Sequence, residues 1–383
     1  MQPLRMGLVG LGNRGLHGWI PTVKAVAGIE ITAVCDKLQA LADQGVRNTG
    51  GPDVKGFTDV DRMLKDANID VVGIVVEPEN QPDLIVRSVE AGKHVVCEVP
   101  LTFKLDECRR IVRAVEKSGI TFCMAEQMTF HPFTRAWRKL REEGWLGHVV
   151  YAEGQYLHGM GDDRLWHEAG TGRRLSRAEA AKTPNKYKSR VWNMPHPIWY
   201  LPHEFGPFLR ILEDRIKTVT CFATRRPSYH YEELPLPDIE VALMRTENDT
   251  IIRQACGFCM PTARPFHWYH LLGTKGEVET SRTGYDNYNE GQWWLADAYM
   301  ESRKPMTWQF THYQTGATEA GATGHGGIDY YAIHDFVDAV RQHRQPVVDV
   351  YRAAHISAIG ICAGLSAEQN GMPVEIPDFH SEK

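Results

Sequence analysis

Short apolar runs recur through the first third of the chain, each the length of one buried strand: "LRMGLVG", "EITAVCD", "DVVGIVV", "HVVCEV" and "ITFCMA". Segments with helical periodicity lie between them, around residues 14–26, 37–47, 59–66, 81–91 and 104–118. This alternation predicts βαβ units and an α/β domain with a parallel, doubly wound sheet over residues 1–126. After "ITFCMAEQ" the rhythm changes. One helix, "FTRAWRKLREEGWLG", leads into the longer strand-like runs "HVVYAEGQYLH", "KTVTCFAT", "IEVALMR", "TIIRQACGF" and "FHWYHLLGT". Strands that succeed one another without helices predict a large, mostly antiparallel sheet in an α+β domain spanning 127–383. Two helices, "YYAIHDFVDAVRQH" and "YRAAHISAIGICAGLSAEQ", follow near the end. The stretch from about 159 to 199 is long and polar, which reads as a functional lid.

Composition narrows the class. With 383 residues the chain suits two domains, and its net charge of −5 gives no reason to expect nucleic acid or a membrane surface as partner. No apolar run reaches the ~18 residues of a membrane span, and the first residues enter a strand at once. A cytoplasmic protein without a signal peptide is therefore expected. The eight cysteines fall largely in strand-like runs, as buried free thiols do in a reducing compartment. Cys256 and Cys259 form a single C-x-x-C without the second pair that zinc sites usually have, so no metal is expected.

The first candidate chemistry is "GLVGLGNRG", with Gly10, Gly12 and Gly15 spaced G-x-G-x-x-G between the first strand and the first helix. Glycines allow the turn to approach a pyrophosphate, which the helix N-terminus stabilises. Asn13 and Arg14 lie at the tip of the turn, where Arg14 suits a phosphate. The second strand ends at Asp36, the place for an acid that holds the adenosine ribose; such an acid repels a 2′-phosphate, favouring NAD, although Lys37 softens that choice. Glu98, at the end of "HVVCEVP", stands at the carboxyl edge where ligands bind in such sheets. The next residue, Val99, has no proton to give.

These motifs in this order, with "AGKHVVCEVP" and the antiparallel second domain, resemble the glucose–fructose oxidoreductase and inositol dehydrogenase family, and imply an N-terminal Rossmann domain. Ordinary dehydrogenases of that family carry lysine after the glutamate and an aspartate four residues before a histidine. Here Val99 and Trp199 occupy those places, the latter before His203. Both departures, with "WYLPHEFGP", "CMAEQ", "GQYLHG", "GHGGIDYY" and "VYRAAHISAIG", resemble the related NAD-dependent glycosidases known for α-N-acetylgalactosaminidase activity.

The resemblance implies catalytic roles for Tyr200, His203, Tyr156 and Glu126, with His158 near the sugar. It also implies a course of reaction. NAD oxidises a ring carbon, taken as C3, while His203 accepts the hydroxyl proton. Tyr200 or Tyr156 removes the acidified C2 proton, the aglycone leaves, water adds, and the retained NADH reduces the ketone. A tyrosine ionises near pH ~10, so its use as a base requires a nearby positive charge. The lid holds Arg173, Arg174, Arg177, Lys182, Lys186, Lys188 and Arg190, with Glu168 and Glu179 partly offsetting them. Basic clusters pair with anions. Lys186 and Arg190 are thus candidate substrate contacts, and the expected small hexoside is either a sulfoquinovoside or an N-acetylgalactosaminide. A plain sugar or inositol dehydrogenase, and a non-catalytic NAD-binding sensor, are the alternatives. The outer face of the second sheet needs cover, so a homodimer or homotetramer is expected.

Overall fold

The computed structural model describes residues 2–158, 165–169, 173–189, 192, 194–261, 266–283, 289–296, 304–309 and 323–380. The chain packs as two compact units, one comprising residues 1–131, 312–358 and 377–383, the other residues 132–311 and 359–376.

In the first unit six strands form one parallel sheet: β1 (Leu4–Val9), β2 (Ile29–Cys35), β3 (Lys55–Phe57), β4 (Val71–Ile74), β5 (His94–Cys97) and β6 (Phe122–Met124). Their order is β3-β2-β1-β4-β5-β6, and every neighbouring pair is parallel. The order reverses between β1 and β4, which makes a crevice at their carboxyl ends. Strands β4 and β5 are almost wholly buried, because helices cover both faces. The apolar stripe of the helix Asp329–Gln342 joins this core. Its Tyr330, Ile333, Phe336, Val337 and Val340 pack in one cluster with Leu16, Trp19, Ile20 and Val23 of the first helical segment.

The second unit is built on a nine-stranded sheet. In chain order its members are β7 (Val149–Leu157), β11 (Ile216–Ala223), β12 (Glu240–Thr246), β13 (Ile251–Gly257), β14 (His267–Gly273), β15 (Gly276–Thr280), β16 (Glu290–Leu295), β17 (Met306–Gln309) and β18 (Val374–Glu375). All neighbours are antiparallel except β7 and β13. Alternate residues of β7 are buried. On that buried face the ring of Tyr269 of β14 packs tilted against Phe133 (4.7 Å) and edge-on against Phe208 (5.8 Å), which belong to the helices Pro132–Glu142 and Pro202–Leu212. The opposite face exposes Phe222, Leu243, Ile251 and Leu272.

The expected lid is not a bare loop. Its described residues form a small sheet of β8 (Trp166–Glu168), β9 (Arg174–Leu175) and β10 (Lys186–Lys188), with a helix, Arg177–Lys182, between β9 and β10. Ser176 and Glu179 close a reciprocal capping box on that helix, a local signal readable in "SRAE". The late helix Val350–Glu368 is long and apolar enough to cross a membrane by composition, yet 72% of its apolar window is buried inside the protein.

Candidate active site

The nucleotide edge of the first unit is shaped by backbone. Gly10, the first residue past β1, has φ +93°, and a Cβ there would lie 2.1 Å from the Val75 carbonyl oxygen. Only glycine fits. At Gly12 a Cβ would meet nothing within 4 Å, so the loop has open room above it. Asp36 follows β2 and bonds to the loop itself: Oδ2 accepts from the Leu11 amide (2.8 Å) and Oδ1 from the Leu38 amide (3.0 Å). A tight glycine turn, a helix start and an acid at the second strand's end fit a dinucleotide. Gly10, Gly12, Asn13 and Asp36 would hold it.

Arg14 and Glu98 are bonded to each other. Arg14 Nε donates to Glu98 (2.8 Å) and Nη1 to Asp329 (2.6 Å); the Trp19 indole also donates to Glu98 (2.6 Å). His325 Nδ1 lies 2.8 Å from the other Asp329 oxygen. Burial alone would lower the Arg14 pKa, but the two carboxylates outweigh it and raise it. Burial would likewise raise Asp329, yet the His325 hydrogen bond and the Arg14 charge hold its carboxyl well below the usual range. With two carboxylates beside it, Arg14 offers little net charge to a phosphate, and that work falls to the loop amides. Glu126, fully buried, accepts from the Met128 amide (2.9 Å) and caps the short turn Gln127–Phe130.

In the second unit the structure gathers Tyr156, His158, Tyr200 and His203. Tyr156 lies on β7, and His203 starts the helix Pro202–Leu212. Their ring centroids are 5.7 Å apart. His158 is 5.7 Å from Tyr156, and Phe258 is 5.1 Å from Tyr156 and 5.9 Å from Tyr200. Phe266 stacks on His158 at 4.3 Å. The helical turn that carries Tyr200, Pro197–Tyr200, is anchored at three points. The Ile198 amide donates to buried Glu240 (2.9 Å), His196 Nδ1 bonds the other Glu240 oxygen (2.7 Å), and the Cys256 thiol donates to the Pro197 carbonyl (3.1 Å). The Tyr269 hydroxyl donates to the His203 carbonyl (2.8 Å) and fixes the next helix start.

Two residues of this cluster escape sequence reading. His267 stacks on Tyr156 at 4.3 Å with 19° between the rings, and its Nδ1 bonds buried Glu204. Glu204 does adjoin His203 in "YLPHEF". His267 and Tyr269 alternate with Trp268 and His270 along β14, which puts them on one face.

Several lid cations are already partnered. Arg173 pairs with Glu179 (2.7 Å) and Glu168 (3.5 Å), and Arg177 with Glu233 (2.7 Å). Lys186 Nζ donates to the Thr183 carbonyl (2.9 Å). Arg190 lies outside the described residues.

A glycine-turned parallel sheet with a tyrosine–histidine cluster on a separate mixed sheet defines a dinucleotide-dependent enzyme class. Solved structures share the fold over the whole chain. Levoglucosan dehydrogenase in complex with NADH and L-sorbose has a TM-score of 0.77 at 17% identity, covering 99% of this chain and 100% of that one. Scyllo-inositol dehydrogenase from Lactobacillus casei has a TM-score of 0.72 at 16% identity, covering 98% and 99%. Residues 4–126 match the oxidoreductase family, NAD-binding Rossmann fold, and residues 136–383 match the glycosyl hydrolase 109 C-terminal domain. The chain belongs to the glycosyl hydrolase 109 family and is an NAD-dependent glycoside hydrolase. Among its relatives are glycosyl hydrolase family 109 protein 1 of Bacteroides thetaiotaomicron, 25% identical over 99% of this chain and 85% of that protein, and the alpha-N-acetylgalactosaminidase of Tannerella forsythia, 25% identical over 98% and 86%.

Proposed function

We propose that the protein hydrolyses a small hexopyranoside by transient oxidation at C3, elimination of the aglycone, addition of water and re-reduction. The observation that carries this reading is the tyrosine–histidine cluster: Tyr156 and His203 lie 5.7 Å apart, and Phe258 contacts both Tyr156 and Tyr200. Bound NAD would supply the hydride acceptor and later return the hydride, so no cofactor is consumed. His203 accepts the proton of the C3 hydroxyl. Tyr200 or Tyr156 removes the C2 proton, which the neighbouring ketone acidifies. Val99, lacking a proton, leaves this work to the cluster. Glu126 holds a sugar hydroxyl or orients a tyrosine, and His158 bounds the sugar.

An α-N-acetylgalactosaminide is the first substrate to test. The Tannerella forsythia relative bears that activity in its name, and the pairing of Arg173 and Arg177 with carboxylates weakens the argument for an anionic sugar. Nitrophenyl α-N-acetylgalactosaminide and nitrophenyl sulfoquinovoside, assayed with and without added NAD, decide between them. Aglycone release with solvent deuterium entering C2 supports the mechanism. Hydrolysis without deuterium at C2 removes the elimination step. We further propose that the exposed face bearing Phe222, Leu243, Ile251 and Leu272 packs against a second copy of the chain. A monomer by light scattering at micromolar concentration overturns that.

A further inference from the structure

The proposed reaction needs one group more than those already assigned, and the role of that group rests on the hydrolase reading. Elimination expels the glycosidic oxygen from C1, and an alkoxide leaves poorly unless a positioned acid protonates it. Water adding later to C1 must lose a proton. His203 serves the C3 hydroxyl and one tyrosine serves C2, so no role assigned so far supplies C1 with an acid or a base.

The same cluster contains a titratable pair that these roles do not use. Glu204 is fully buried on the helix Pro202–Leu212, directly after His203. It bonds Nδ1 of His267, the first residue of β14. In the β7–β14 pairing His267 stands opposite Tyr156, on which its ring stacks at 4.3 Å. The His203 ring is 5.6 Å from it, at 83°. The contact with the buried carboxylate commits Nδ1 to Glu204, so a proton exchanged by this ring passes through Nε2. His267 therefore sits in ring contact with a candidate C2 base and one ring away from the hydroxyl base.

We propose that His267, oriented by Glu204, is the acid–base catalyst at C1. With C3 a ketone, the tyrosine takes the C2 proton. The bond between C1 and the glycosidic oxygen breaks, its electron pair goes to the oxygen, and the oxygen takes the Nε2 proton of His267. Water then bonds to C1 and gives a proton to the neutral imidazole, while the tyrosine returns its proton to C2. Glu204 keeps its bond to Nδ1 throughout, and the net change is addition of one water.

The test compares two leaving groups. Methyl and dinitrophenyl glycosides of N-acetylgalactosamine are used, or of sulfoquinovose if the wild type takes that sugar. Dinitrophenolate departs without protonation; methoxide does not. In His267→Gln and Glu204→Gln, hydrolysis of the methyl glycoside should fall roughly 10²- to 10⁴-fold, the range for a lost general acid. First-turnover release of dinitrophenolate, which precedes the water addition that also uses His267, should stay within about tenfold of wild type, with NADH absorbance and deuterium exchange at C2 preserved. Glu204→Asp, which keeps the charge, should recover part of the methyl glycoside activity, and it carries the test if the other variants fail to fold. Equal losses of first-turnover aglycone release on both glycosides, or none on the methyl glycoside, overturn the assignment. Stoichiometric free NADH with no aglycone from wild type would instead sink the hydrolase reading.

Discussion

At the carboxyl edge of the parallel sheet the charged side chains are bonded within the protein. Arg14 is bonded to Glu98 and Asp329, and Asp36 to two backbone amides. What remains for a ligand is mostly backbone, a glycine turn and the start of a helix, with Asn13 and Asp36 beside it. In the mixed sheet the balance is reversed. Backbone groups there are taken by strand pairing, and the cluster consists of rings, with Tyr156, His158, His203 and His267 in contact and one carboxylate, Glu204, bonded among them. The first region is suited to holding a large anionic molecule without reacting with it. The second is suited to moving protons. Substitutions should therefore change binding in one region and turnover in the other.

The largest effect should come from the second region. His203→Ala should lower hydrolysis by roughly 10²- to 10⁴-fold, the range for a lost general base. Bound NAD should then stay oxidised when glycoside is added, with NAD affinity by calorimetry unchanged. Tyr200→Phe should let NADH absorbance appear without release of aglycone if Tyr200 is the C2 base; full activity in that variant leaves the step to Tyr156. Loss of NAD binding in His203→Ala would break the contrast between the regions.

Next comes Gly10→Ala. The methyl group would strike the Val75 carbonyl at 2.1 Å in a backbone conformation that L-residues resist. Strain of this kind costs roughly 1–3 kcal/mol, and it should appear as weaker NAD binding by calorimetry. Wild-type affinity would show that the turn is not the cofactor's cradle.

Asp36→Ala should weaken NAD by roughly 1–3 kcal/mol. The figure combines a lost ribose contact with two released loop amides, so Asp36→Asn sharpens it. If the asparagine variant binds NAD as wild type does, the acid's part is confined to holding the loop.

The smallest effect is one of pH. The Asp329 carboxyl is held below its ordinary range, so its ionised form adds stability above the unfolded value of about 4, and that stability is lost as pH falls below it. Between pH ~5 and ~3 the melting temperature of wild type should drop more steeply than that of Asp329→Asn, by about 2–4 °C. Parallel curves would mean that the buried network contributes no net charge stabilisation.

What local order determined was the strand–helix rhythm of the first 126 residues, the glycine turn and the placement of Asp36 and Glu98 at strand ends. Each depends on a few neighbouring residues, because strand length, a positive φ and a helix start are set within one turn of chain. The Ser176–Glu179 capping box is equally local, and it gives the lid a helix that polarity alone conceals. Tertiary structure decided the rest. Residues 323–358 fold with the N-terminal unit because the stripe of Tyr330, Ile333, Phe336 and Val337 buries itself among Leu16, Trp19 and Ile20, and this brings Asp329 to Arg14 across 315 residues. Nothing near His267 distinguishes it from the other histidines of the chain. Its partnership with Glu204, 63 residues away, follows from the register that sets β14 opposite β7 and from the helix packed across that face. Sheet register is a sum of many weak pairings along whole strands, so the contacts it creates are written in no single stretch of sequence.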